Sequence, residues 1–374
     1  MDKKMQANFI SQPSENLSTA SQWQLMVRKF TKHRLAVWSG SLIIALYTCT
    51  LFCEFTSPYG LDETNIDYIY APPQRLHWIG PDGIHFIPFV YGLKGIRDPT
   101  TLRKIYIEDQ TKMFPLRLLA RGSSYNFFGI FKTNIHLFNV DRSGTLFLLG
   151  TDSLGRDLFT RILYGARISL TVGLVGVGLT FVFGLTVGVI SGYFGGWIDN
   201  AIQRLIEILR SFPSIPLWMA LSAALPSDWS PLQIYFGITV VLSFLGWTGL
   251  ARVVRGKILA PREEDYATAA EVSGVSKQRI MTHHLLPGFT SHIVVSLTLA
   301  LPGMILGETS LSFLGLGLRS PITSWGVLLQ EAQNVQAVAM QPWLLTPAIF
   351  VIIAVLAFNF VGDGLRDAAD PYDR

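Results

Sequence analysis

The chain has 374 residues, 49% of them hydrophobic and only 15% charged, with a positive mean hydropathy. That balance excludes a disordered chain and disfavours an ordinary soluble domain. The formal net charge of +4 does not point to nucleic acid, because the basic residues sit beside apolar stretches and not along one polar face. The only two cysteines, Cys49 and Cys53, fall within one apolar stretch, which rules out a disulfide framework or zinc site.

Residues 1–34 are polar and then basic, and the apolar stretch after them is too long for a signal-peptide core and lacks a clear cleavage site. A bilayer core needs about 20 apolar residues of helix. Six candidates meet this: 35–56, 168–192, 205–226, 232–251, 289–311 and 343–362. The third is the weakest, with Glu207 and Arg210 near its start and Pro213 and Pro216 within it. Arg204, Glu207 and Arg210 recur every third residue, a spacing that favours ion pairs along one interfacial helix face. Arg28, Lys29, Lys32 and Arg34 precede the first span, and Arg252, Arg255, Lys257, Arg262, Lys277 and Arg279 fill the loop 252–288. Both clusters belong in the cytoplasm by the positive-inside rule, and six spans then place both termini there. The polar insert 57–150 is too long for that rule and must fold outside the membrane. Strand-like runs at 104–108 and 114–119, set between turn residues, predict a small mixed or β-rich lobe. The expected fold is thus an all-α polytopic membrane protein. A cytoplasmic segment 1–34 leads into the first span 35–56, the extracytoplasmic insert 57–150 and a transmembrane core 151–374.

The loop 252–288 reads helix, turn, helix. Pro261 suits a first helical position, and Glu263, Glu264 and Asp265 put negative charge at the positive end of the helix dipole. Small Ala267, Ala269 and Ala270 permit close packing against another helix. Gly274 stands where a left-handed C-cap is expected, followed by Val275, and Ser276 is placed to cap the next helix, which leads to Pro287. With Thr268-Ala269-Ala270, Gly274 and Pro287 at these spacings, the loop resembles the mark of the permease family of bacterial and archaeal cassette importers. That mark is Glu-Ala-Ala, three residues, Gly, and a Pro thirteen residues later; here Thr268 replaces the leading Glu. In that family the loop is the coupling helix that docks on the ATPase subunit.

A narrower resemblance, to the second permease of the dipeptide, oligopeptide and nickel importers, rests on four further segments. They are Trp23 to Val37, Gly150 to Asp157 with Tyr164 to Leu170, Gly307 to Gly317, and Gly362 to Pro371. The resemblance implies a type I importer permease in the bacterial or archaeal cytoplasmic (inner) membrane that translocates a solute, such as a peptide. Its implied partners are ATP-binding cassette ATPase subunits, a homologous second permease in a heterodimer, an extracytoplasmic solute-binding protein and membrane lipid, with no cofactor. The outer lobe is then expected to meet the binding protein or to cover the pore mouth.

Glu308 is the ionisable residue deepest in an apolar run, and a buried carboxylate in a bilayer needs a partner. About 1.5 Å of rise per residue from position 289 puts it near the outer interface, where a structural or gate hydrogen bond and a substrate contact are the two readings. Asp152, Arg156, Asp157 and Arg161 alternate in sign at helical spacing, the pattern of internal ion pairs rather than of a substrate site. No phosphate-binding loop, nucleophile elbow or metal-ligating helix motif occurs, so no catalytic activity is expected and ATP is to be hydrolysed by another chain. The alternative, an ion-coupled secondary transporter, should show inverted repeats and broken helices around mid-membrane charges, and neither is evident.

Overall fold

A computed structural model describes residues 22–369 except 82, 101–103, 128, 142 and 227. Most of the expected segment 1–34, and Asp370 and Pro371 at the other end, lie outside the described residues. Helix α1 (Gln22–Lys32) is amphipathic and turns into α2 (Arg34–Leu51) at His33, whose Nδ1 accepts the Ala36 N–H at 3.1 Å and caps the new helix. A short α3 (Cys53–Thr56) completes the first predicted span.

The insert is β-rich, as expected. Strands β1 (His77–Gly80), β2 (Gly83–Arg97) and β3 (Lys104–Pro115) form an antiparallel sheet in that order. Strands β4 (Arg117–Phe127) and β5 (Phe131–Asn139) form a separate antiparallel ribbon. Its own core is small, Val90, Val140 and Leu146, so its base is fastened by polar contacts instead. Gln74 donates to the Tyr91 carbonyl at 3.0 Å and accepts the Phe147 N–H at 2.7 Å, and the buried His136 ring reaches the carbonyls of Ser57 and Ser123 at 2.6 and 2.8 Å.

The core opens with α4 (Leu158–Phe194), followed by α5 (Gly196–Ser211), α6 (Ser214–Ala223) and α7 (Pro231–Leu259). Asp157 caps α4 by accepting the Thr160 N–H and hydroxyl at 2.8 and 2.7 Å, which is why this helix starts ten residues before the apolar run. A capping box of Ser230 and Gln233 starts α7. Helices α4 and α7 pack along Gly184, Gly188 and Gly192. A Cβ on these would fall 2.8 Å from Leu250 Cβ, 2.7 Å from the Ala251 carbonyl and 3.0 Å from the Arg255 carbonyl. Small residues four apart let two backbones meet closely in lipid, where dispersion must replace the hydrophobic drive. Beyond α7 come α8 (Asp265–Val272) and α9 (Lys277–Arg279), then a wide turn and a tight turn into α10 (Thr290–Phe313). Short α11 (Trp325–Gln330) and α12 (Val335–Met340) return the chain to α13 (Thr346–Ala369).

Among the described residues five helical stretches are long and apolar enough to cross a membrane. The predicted span 205–226 is not one continuous helix. Pro213 cannot donate its nitrogen and forces Phe212 into an extended conformation, with ψ at 136°. The stretch therefore divides into amphipathic α5 and an apolar α6 of 10 residues, which rises only about 15 Å. Helix α7 also runs eight residues past its predicted end, since Arg252, Arg255 and Lys257 are good helix formers and Pro261 is the first breaker.

Candidate functional site

The expected coupling residues converge at one end of the core. Pro261 opens a single tight turn, Pro261–Glu263, before α8 begins at Asp265, whose carboxylate lies in the first turn. Ala267 is buried and Ala270 partly so, three apart on the face that packs against Val254, Ile258, Ile280 and Leu285. Ala269 falls on the opposite face and is exposed, so only two of the three alanines serve helix packing. Tyr266 and Val272 are exposed beside it. Gly274 has φ at +79°, the left-handed cap expected, and the Val275 N–H donates to the Ala270 carbonyl at 3.1 Å. Val275 joins the buried cluster. Ser276 stands at the N-cap of α9 but, contrary to expectation, its side chain makes no capping bond; its carbonyl accepts the Ile280 N–H at 3.0 Å instead. Pro287 is exposed in the tight turn before α10.

Two arginines clamp this region to the rest of the core. Arg262 donates to the carbonyls of Gly192 and Tyr193 at 2.9 and 3.2 Å, a cation on the unsatisfied C-terminal end of α4. Arg255 of α7 forms a two-point pair with Asp199 of α5 at 2.5 Å, and Ser191 of α4 donates to the same carboxylate. The Arg255 guanidinium holds the Asp199 carboxyl below its usual range, against the opposing effect of burial. Three helices thus meet on one carboxylate. The sequence showed Arg255 only as a topology signal, and nothing local links it to a residue 56 positions away; the Gly184, Gly188 and Gly192 spacing is the sequence signal that would have paired α4 with α7.

Replacing Asp199 by Asn should lower stability by about 1–2 kcal/mol, the value of a charge-assisted pair discounted for its partly exposed arginine. Because the folded pKa is depressed, this contribution is complete at neutral pH and is lost as pH falls through that lowered value. Thermal unfolding of parent and variant across pH should therefore show a gap at neutrality that closes below the ordinary carboxylate range.

At the other end of the core, Asp152 pairs with Arg156 at 2.7 Å and with Arg161, and it accepts the N–H groups of Leu154 and Arg156 at 2.8 and 2.9 Å. Glu331 adds contacts at 3.9 Å to Arg156 and 3.7 Å to Arg161, joining α4 to the segment after α11. Three of the four residues that the spacing marked, Asp152, Arg156 and Arg161, form an internal ion-pair set, enlarged by a residue too distant in sequence to foresee; Asp157 instead caps α4. Burial and the Asp152 charge push the Glu331 carboxyl up, and burial pushes that of Asp157 up to about 7. Arg167 forms a two-point pair with Glu54 at 2.8 Å, which ties α3 to α4. In α5, Arg204 pairs with Glu207 at 2.8 Å, as the spacing of three suggested, but among the described residues Arg210 makes no second pair with that carboxylate.

Glu308 is fully buried in α10. It accepts the hydroxyls of Ser169 on α4 and Ser312 on α10, both at 2.8 Å, and is also hydrogen-bonded by Ser324 ahead of α11. The same serines act a second time as acceptors, Ser169 from the Trp325 N–H at 3.1 Å and Ser312 from the Leu318 N–H at 3.0 Å. The carboxylate therefore fastens three segments together.

Comparison with known proteins gives a consistent result. The family described as "Binding-protein-dependent transport system inner membrane component" matches residues 184–372, and "N-terminal TM domain of oligopeptide transport permease C" matches residues 21–73. The chain is 43% identical over 223 residues to the dipeptide transport system permease protein of Alkalihalophilus pseudofirmus, covering 59% of this chain and 71% of the relative. It is 42% identical over 226 residues to the oligopeptide transport system permease protein of Haemophilus influenzae, covering 60% and 70%. Among solved structures, the methionine ABC transporter MetNI in an inward-facing conformation is similar at 21% identity and a TM-score of 0.45, covering 56% of this chain and 97% of that one.

Proposed function

This chain belongs to the family of inner membrane components of binding-protein-dependent transport systems, and on that premise we propose that it passes short peptides inward as one half of a two-permease pore. It is an integral, multi-pass inner-membrane permease subunit of an ABC importer. The peptide substrate is the reading favoured by the names of the relatives, whose systems carry dipeptides and oligopeptides.

The observation that carries the coupling mechanism is the exposed face of α8 (Tyr266, Ala269, Val272), held on a helix whose other face is buried and whose base Arg262 locks to the end of α4. A short helix so fastened transmits displacement instead of absorbing it. Separate ATPase subunits, closing on ATP, push this face; α4, α5 and α7 move with it through Arg262, Asp199 and Arg255. The helices of this chain and of a homologous second permease then change which side of the membrane the pore faces. An extracytoplasmic binding protein delivers the peptide, and the β-rich lobe stands over the mouth that receives it. Lys and Arg flanking the short loops favour both termini and α8 in the cytoplasm.

Co-expression with the ATPase subunits tests this. The chain should co-purify with them, and charged substitutions at Tyr266 and Val272 should abolish co-purification while the chain still inserts. Reporters fused at the C-terminal end and within residues 104–115 should read cytoplasmic and external respectively. A cytoplasmic signal from the lobe would reverse the topology, and unaltered ATPase binding by the charged variants would remove α8 from the interface.

A further inference from the structure

The lobe and the return segment near α12 line an open cavity of about 980 Å³, which is large enough for a small extended ligand. One wall is β2 and β3, and the other is the stretch from Asn334 to Trp343. Neither wall belongs to the helices that would form the pore.

The chemistry of the walls is specific. Arg97 and Lys104 are directly opposite each other in the β2–β3 register, so two positive side chains leave the same face of the sheet side by side. Like charges at such a position destabilise a sheet unless an anion lies between them. Among the described residues neither has a carboxylate within ion-pair distance. Lys104 donates to the backbone carbonyl of Asp67 at 2.5 Å and lies 5.5 Å from the centre of the Tyr106 ring. Its side chain crosses Gly95, where a Cβ would fall 2.5 Å from Lys104 Cε; glycine there is what lets the lysine lie flat along the wall. Asp67 also lines the cavity, and its negative charge against those of Arg97 and Lys104 leaves the lining net positive. Opposite, the side-chain amide of Gln341 has no hydrogen-bond partner among the described residues, and Trp343 is held in place by its indole N–H, which donates to the Thr151 carbonyl at 3.0 Å.

From these features we infer that the cavity is an antechamber that binds a short peptide on the permease itself, its terminal carboxylate between Arg97 and Lys104 and its backbone against Gln341 and the aromatic walls. Two adjacent cations with no carboxylate in ion-pair distance suit one carboxylate, a free amide suits a peptide group, and tyrosine and tryptophan faces accept side chains without selecting one. The inference rests on the peptide reading above and adds where the peptide waits and which end is recognised.

The test uses the transporter assembled with its partner permease and ATPases in nanodiscs, without binding protein. A photoreactive tripeptide, benzoylphenylalanine between two alanines, should label Arg97, residues 104–106 or residues 334–343. Trialanine should protect at about tenfold lower concentration than trialanine amide, the value of roughly one charge-assisted contact. Arg97→Gln, an exposed change with no structural contact to lose, and Lys104→Met should each shrink that preference, and the double variant should abolish it. Labelling elsewhere, or equal protection by acid and amide in the parent, overturns the inference. Protection by the empty binding protein with no preference between acid and amide also overturns it and makes the wall a protein contact. Uptake of a labelled pool of di- to pentapeptides into vesicles by the complete system separates the two readings. Uptake without acid preference sinks the antechamber alone, and absence of uptake sinks the peptide reading and the antechamber with it.

Discussion

Gly274→Val should insert and express near the parent level yet lose transport. The glycine has φ at +79°. A Cβ built there has no atom within 4 Å, so the cost of a side chain is backbone strain alone and not collision with a neighbour. That strain is about 1–2 kcal/mol, more for a β-branched residue than for alanine. It is too little to unfold a helical core, but the chain relieves it by changing the angle at 274. The Gly274 N–H to Glu271 and Val275 N–H to Ala270 bonds, at 3.0 and 3.1 Å, are the first to give. Val275 then leaves its cluster, and α9 swings relative to α8. The docking face is lost before the fold is. ATP hydrolysis should no longer respond to loaded binding protein. Gly274→Asn is the matched control, since asparagine tolerates the left-handed region, and it should keep most of the transport. If valine transports like the parent, α8 and its turn are not the coupling element. If asparagine fails as badly as valine, the left-handed conformation is not what matters.

The turn at Gly274 was legible because its determinants are local: a helix, a glycine at the cap and a hydrophobic residue after it. The same holds for Asp152 with Arg156, four apart in the turn before α4, and for Arg204 with Glu207, one helical turn apart in α5. The helical core was legible from composition, because lipid demands long apolar stretches. What escaped was set by distance or by competition. Asp199 with Arg255 and Arg161 with Glu331 are joined only after the helices pack, and periodicity says nothing about which charges meet. The third span, 205–226, is the weakest in the sequence, with charged residues near its start and two prolines within it, yet its length alone makes it a candidate. Pro213 divides it, and α5 begins at Gly196, nine residues before the predicted start, because its amphipathic first half carries no apolar run to detect. The second helix begins at Leu158, ahead of the apolar run at 168, because Arg161 interrupts the hydropathy there and is buried only once α4 packs against α11 and the ion-pair cluster, a tertiary effect.

Glu308 is where the sequence left two readings open, and its geometry carries a second large prediction. An ionisable residue inside a membrane domain is a functional candidate by default. Here both carboxylate oxygens are already engaged by serine hydroxyls, and the side chain has no solvent exposure in the chain. We expect it to act as the clasp that holds α4, α10 and the segment before α11 in one arrangement. Glu308→Ala would leave three buried hydroxyls without their acceptor and a void beside Leu311 and Trp325; the combined cost is about 3–5 kcal/mol. The assembled transporter should then unfold at a clearly lower temperature in detergent and accumulate poorly. Glu308→Gln keeps the volume and one acceptor oxygen, and the hydroxyls can rotate to receive its amide, so the loss should be about 1–2 kcal/mol with the KM for peptide unchanged. A substrate contact predicts the opposite pattern, parental stability in both variants with KM raised several-fold in the glutamine form. Unfolding curves and uptake kinetics on the same preparations separate the two, and a stable Glu308→Gln transporter with raised KM would remove the clasp.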